Sequence, residues 1–279
     1  MIGYDIDVRF RPNEDRLTGS MTVDLVNITG QPLEEVAFRL YPNALYYGEG
    51  YLTITRALVD GADVLPTYEA NSTVMFLALD TPLAPDENVE IELGFRTVIP
   101  NDSKGTFGIF SHAVERGAWV LADWHPIVAG WDAELGWRVD PPTPAGDPTY
   151  ADAATYDLTI TLPDDLTVIA GGQAIAELDT GSTTTVSIVT GPSRDLTMVI
   201  TDRLSPLDAV AGGTTVRVWA EALIRLHLDP DEWSFGFDHA KRRAGLCNFT
   251  ARRITVSRHL ALRFDDDEIH QILLHEVAH

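Results

Sequence analysis

The chain has 279 residues, 45% of them hydrophobic and 22% charged, which are ordinary values for a folded protein; they exclude long disorder and leave room for about two domains. Its formal net charge of −22 is unevenly spread: residues 1–220 hold 12 Arg/Lys against 32 Asp/Glu, and residues 221–279 hold 8 against 10. So acidic a first part disfavours nucleic acid or anionic lipid as its partner, because phosphate contacts need Lys and Arg.

The opening "MIGYDIDVRF" runs straight into an alternating pattern, with no charged-then-apolar leader, and no run of ~18 apolar residues follows anywhere. No signal peptide and no membrane span are expected. The chain reads as soluble, with its compartment open and the cytoplasm favoured by the missing leader. From residue 4 to 219, "YDIDVRF", "LTGSMTVDLVNI", "EEVAFRL", "TVMFLAL", "NVEIELGF", "TYDLTITL", "TTTVSIV", "LTMVI" and "TTVRVWA" read as strands, alternating or β-branched. Between them, "RPNED", "TGQP", "APDE" and "PDD" are turn vocabulary, in which Pro presets φ and Asp or Asn closes the turn locally. No helical period lasts beyond a turn, so the expectation is a mainly β, antiparallel β-sandwich over residues 1–220.

Around residues 100–150 the pattern gives way to expected long loops that carry Trp119, Trp124, Trp131 and Trp137, four of the six tryptophans. Such a cluster either lines a binding surface or plugs a sheet end, and the structural role ranks first. After Trp219 the alphabet changes. "AEALIRLHLDPDEW" has a helical stripe ended by Asp229-Pro230, "WSFGFDHAKRRAGLCNFTARRITVS" reads as a strand pair with a basic rim, and "LRFDDDEIHQILLHEVAH" reads as a helix. Six of the eight histidines (His227, His239, His259, His270, His275 and His279) fall in this last part. The single cysteine, Cys247, excludes an intrachain disulfide and a cysteine-based zinc site.

The final helix is expected to start at Asp265, Asp266, Asp267 and Glu268, whose charge suits a helix N-terminus, and to bury Ile269, Ile272, Leu273 and Val277. His275, Glu276 and His279 make an H-E-x-x-H spacing. On a period of about 3.6 residues the two imidazoles lie about 40° apart and one turn apart, so they can share one ion, with Glu276 about 60° further round. Zinc suits two neutral imidazoles plus one further ligand, and the glutamate then serves as general base toward the attacking water. His270 projects about 140° from His275 and does not help. The third ligand is either one of His227, His239, His259 or a carboxylate upstream, or it lies beyond residue 279, which would make the segment incomplete as given.

Residues 1–220 resemble the N-terminal β-domain of the gluzincin aminopeptidases, the family of aminopeptidase N. The resemblance rests on "YDIDVRFRPNEDRLTGSMTVDLVNITGQPLEEVAFRLYPNA", "GAWVLADWHPIV" and "GDPTYADAATYDLTITLPDDLTVIAGG". It implies a saddle-like β-sandwich packed on a catalytic domain. That family's loop of the Gly-x-Met-Glu-Asn type, which binds the free amine of a peptide, has no counterpart before His275. Residues 221–279 instead resemble the start of a SprT-like zinc metalloprotease domain, through "WSFGFDHAKRRAGLCNFTARRITVSRHLAL" and "EIHQILLHEVAH". This implies a histidine downstream as third ligand. Both likenesses imply His275 and His279 as Zn2+ ligands and Glu276 as the base.

The combined expectation is an acidic β-sandwich domain at 1–220 and a partial α/β zincin-type segment at 221–279 ending in the H-E-x-x-H helix. The chain would be a natural fusion, a fragment or a chimera. Its function would be zinc-dependent hydrolysis of peptide or protein substrates, aminopeptidase-like or SprT-like. The alternative is a non-catalytic β-sandwich module that binds a protein and carries a vestigial metal motif. Lys241, Arg242, Arg243, Arg252, Arg253 and Arg258 form a basic cluster, but with a nearly balanced segment and an acidic neighbour a solvated, acid-paired face is expected, not a nucleic-acid site. Oligomeric state is not legible.

Overall fold

The computed structural model describes residues 2–101, 109–114, 117–143, 149–202, 207–211, 214–218, 234–238, 240, 243, 245–248 and 250–257. These residues are built mainly of strands, with three short 3-10 turns at Pro12–Glu14, Tyr41–Asn43 and Leu45–Tyr47. None of their helices is long and apolar enough to cross a membrane. In chain order the first strands are β1 (Ile2–Arg11), β2 (Arg16–Val26), β3 (Leu33–Arg39), β4 (Tyr51–Val59), β5 (Ala62–Asp63), β6 (Thr67–Glu69), β7 (Val74–Leu83) and β8 (Asn88–Val98). Next come β9 (Phe110–Ala113), β10 (Ala118–Leu121), β11 (Ile127–Val128), β12 (Trp131–Asp132), β13 (Gly136–Trp137) and β14 (Ala154–Pro163). The rest are β15 (Thr167–Ala170), β16 (Gln173–Asp179), β17 (Thr183–Val189), β18 (Met198–Thr201), β19 (Leu207–Ala211), β20 (Thr214–Val218), β21 (Ser234–Asp238), β22 (Gly245–Asn248) and β23 (Arg253–Ser257).

An eight-stranded sheet runs in the order β16-β17-β14-β1-β2-β8-β4-β5. Strict alternation along β1 buries Tyr4, Ile6, Val8 and Phe10 and leaves Asp5, Asp7 and Arg9 outside, as a half-buried strand requires. Two four-stranded sheets, β11-β3-β7-β6 and β15-β18-β10-β9, share one core with it, to which Phe10, Phe95, Phe38, Met75, Trp119 and Ile200 all contribute. Phe10 of β1 meets Trp119 of β10 edge to face at 5.0 Å, a contact between the large sheet and a small one. The expected mainly β, antiparallel architecture is therefore present.

Three local features depart from the expected pattern. β1 pairs with β14 in parallel, Tyr4 opposite Tyr156 and Ile6 opposite Leu158, the chain between them serving as the long crossover that a parallel pair needs. β4 shifts register between Ile54 and Arg56, so its buried face changes phase and no single alternation runs through "YLTITRALV". Gly94 sits across from that bulge, where a Cβ would come within 2.8 Å of Thr55 Oγ1. Finally, the loops expected over 100–150 contain five short strands, because Trp, Val and Ile pair there in runs too brief to show a period.

Candidate metal centre and its approach strands

The described residues leading toward the H-E-x-x-H stretch form a three-stranded sheet, β21-β23-β22, with β23 paired parallel to β21 and antiparallel to β22. The strand pair expected here is thus three strands, the short "GLCN" adding an edge. Successive residues of β23 face opposite ways: Ile254 is fully buried while Arg253 is exposed.

Asp238, at the end of β21, organises the polar side. It accepts from Ala240 N at 2.8 Å, from Arg243 Nη2 at 2.7 Å and from Thr255 Oγ1 at 2.8 Å. The backbone donor at Ala240, with Arg243 and Thr255 behind it, holds this carboxyl down at about 2. An open groove of about 340 Å3 lies over this side, bordered by Asp238, Arg243, Leu246, Asn248 and Arg253. Arg243 thus shows the acid pairing expected of the basic cluster; Lys241, Arg242 and Arg258 lie outside the described residues. The sequence reasoning passed over Asp238. Its signal was the Asp-x-Ala spacing of a side chain that closes its own turn two residues on.

His275, Glu276 and His279 lie outside the described residues, as do His227, His239, His259, His270 and the stretches expected to be helical. Among the described residues no three His, Cys, Asp or Glu side chains gather as a metal group. The two described histidines, His112 and His125, both belong to the sandwich. His112 stacks on Trp119 at 4.2 Å, with Nδ1 2.7 Å from Asp15 Oδ1, the oxygen that also accepts from Trp119 Nε1. His125 is fully buried among Tyr4, Trp124 and Tyr156, its Nδ1–H donating to Pro126 O at 2.9 Å. Burial pushes its pKa down to about 4, so it is neutral at pH 7.

The tryptophans divide by role. Trp124 is wholly buried and donates to Leu196 O at 2.8 Å, and Trp119 is buried against Phe10, so these two are packing elements. Trp131 and Trp137 are half-buried partners across the β12–β13 hairpin, edge to face at 5.0 Å. Asp132 closes that turn by accepting from Glu134 N and Leu135 N, and Gly136 takes the left-handed φ of 77° that the turn requires.

The fold is that of M1 zinc metallopeptidases: the enzyme from Deinococcus radiodurans matches with a TM-score of 0.53 at 18% identity, covering 99% of this chain and 63% of that one. A mutant of the same enzyme bound to a Tyr-Ser-Ala substrate matches with a TM-score of 0.53 at 17% identity, over 99% and 64%. A two-domain M1 zinc metallopeptidase mutant bound to L-tryptophan gives the same values. The chain thus spans under two thirds of the length of these structures. Residues 220–279 match the SprT-like family model. No curated protein matches the chain. The family match covers the last part of the chain, and the solved structures share its fold.

Proposed function

We propose that this protein hydrolyses peptide bonds as a zinc-dependent metallopeptidase, with His275 and His279 as metal ligands and Glu276 as general base. In this reading residues 1–220 are an acidic β-sandwich domain and residues 221–279 a partial zincin-type catalytic segment. The observation that carries it is the SprT-like match over residues 220–279, which contains the H-E-x-x-H spacing. The donor chemistry fits Zn2+, whose preferred ligands include neutral imidazoles.

A zinc ion held by His275 and His279 would supply Lewis acidity toward the scissile carbonyl and the attacking water. Glu276 then takes the proton from the attacking water and hands it to the leaving amine, work that suits a carboxylate one position from a ligand. The family match over the site-bearing residues favours internal, SprT-like cleavage of protein substrates over release of single N-terminal residues.

The test combines metal analysis with hydrolysis. About one zinc per chain is expected, lost in His275→Ala and kept in Glu276→Gln, with hydrolysis absent in the first and reduced ~10²- to 10⁴-fold in the second. Equal cleavage of acetylated and unblocked peptides supports the SprT-like branch. A requirement for a free amine supports the aminopeptidase branch, and neither zinc nor hydrolysis supports the protein-binding module.

A further inference from the structure

The half-buried tryptophan pair borders a slot that the proposed peptidase chemistry does not use. Its floor is made by Ile2, Leu25 and Val128, buried residues of the sandwich, and its walls include both indoles of the β12–β13 hairpin. Asp152 is among the residues that border the slot, is exposed, and has no paired cation among the described residues. Trp131 Nε1 is shielded from solvent and likewise has no acceptor there, whereas Trp137 Nε1 donates to Glu35 O at 3.2 Å.

Size and charge together select an occupant. The slot holds about 50 Å3. That exceeds the ~10–15 Å3 one water needs and falls well short of the ~150 Å3 of a cavity that takes a benzene ring, so the slot fits a narrow methylene stem and excludes an aromatic side chain. Indole faces attract cations, long basic side chains lay their methylenes along apolar surface with the charged head in water, and here the bordering residues offer a carboxylate. The surrounding residues 1–220 carry 32 acids against 12 bases, which draws in a basic partner and repels a second copy of this acidic face.

We infer that the Trp131–Trp137 slot is a docking site for a lysine or arginine side chain presented by a polypeptide partner. The methylene stem lies against the indoles and the cation meets Asp152. This site stands apart from the zinc reading and can hold or fail without it.

The test is a titration of the full chain with acetyl-Gly-Gly-Lys-Gly-Gly-amide, followed by tryptophan emission and calorimetry. Its norleucine counterpart, which keeps the stem and lacks the charge, is the comparison. Saturable binding of the lysine peptide is expected, at least tenfold tighter than that of the norleucine peptide. Asp152→Asn should weaken it fivefold or more, and Trp131→Phe should weaken it and diminish the emission change. Both variants should melt with the parent. Glu177→Gln, on the exposed edge strand β16, should leave binding unaltered. Equal binding of the norleucine peptide, equal weakening by Glu177→Gln, or no saturable binding would each overturn the inference.

Discussion

The layered sandwich and the last sixty residues present opposite relations between pattern and chemistry. In the sandwich, dozens of positions repeat one message: β1 and β14 bury every second side chain over ten residues each, and the core they build is continuous with both smaller sheets. In the final segment three residues, His275, Glu276 and His279, carry the functional reading, and the described strands before them supply a scaffold around Asp238. A fold is written redundantly, because burial needs many apolar side chains, whereas a metal site needs only a few donors at one spacing. Substitutions in the two regions should therefore fail differently.

The largest expected effect that separates them is Trp124→Ala. Removing a wholly buried indole should cost about 3–5 kcal/mol in chemical denaturation followed by far-UV signal, since it opens a cavity and leaves Leu196 O without its donor. Zinc content of the molecules that remain folded should not change. Equal losses of metal and of sandwich stability would break the comparison and merge the two regions into one cooperative unit.

A second effect comes from His125. Its folded pKa of about 4 lies below the ordinary 6.5, so the unfolded chain binds the extra proton between these values. The stability it permits is complete above about pH 6.5 and is lost as pH falls toward 4, a change of about 3 kcal/mol for a fully buried group. Denaturation midpoints measured from pH 7 to 4 should show this slope, and His125→Phe should flatten it. Asp238 acts lower on the scale: its depressed carboxyl helps stability above the ordinary carboxylate range and loses that contribution as pH falls toward 2.

The smallest effect belongs to Arg243→Ala. Its guanidinium is half exposed, so loss of the pair with Asp238 should cost only about 0.2–1 kcal/mol and shrink further in high salt. The donors at Ala240 and Thr255 still hold the carboxylate. A drop of several kcal/mol in thermal unfolding would mean that the approach sheet depends on this one ion pair.

What was legible from residues alone follows the physics of periodicity. "YDIDVRF", "NVEIELGF" and "TYDLTITL" announce strands because alternate side chains meet core and water, and β1, β8 and β14 lie there. β16 was missed because all seven of its residues are exposed, so nothing alternates, and β4 because its bulge reverses the phase midway. The H-E-x-x-H spacing is read off the residues themselves and becomes a metal site only on the proposed helical period.

Local rules, then, let the sequence by itself determine where the alternating strands such as β1, β8 and β14 run and which of their faces turn inward. Only the tertiary structure decided that β14 joins β1 in parallel, that His125 is stripped of water, and that two tryptophans pack in the core while two wall a slot. These outcomes depend on contacts between residues far apart in the chain, and a pattern read along neighbouring positions does not carry that information.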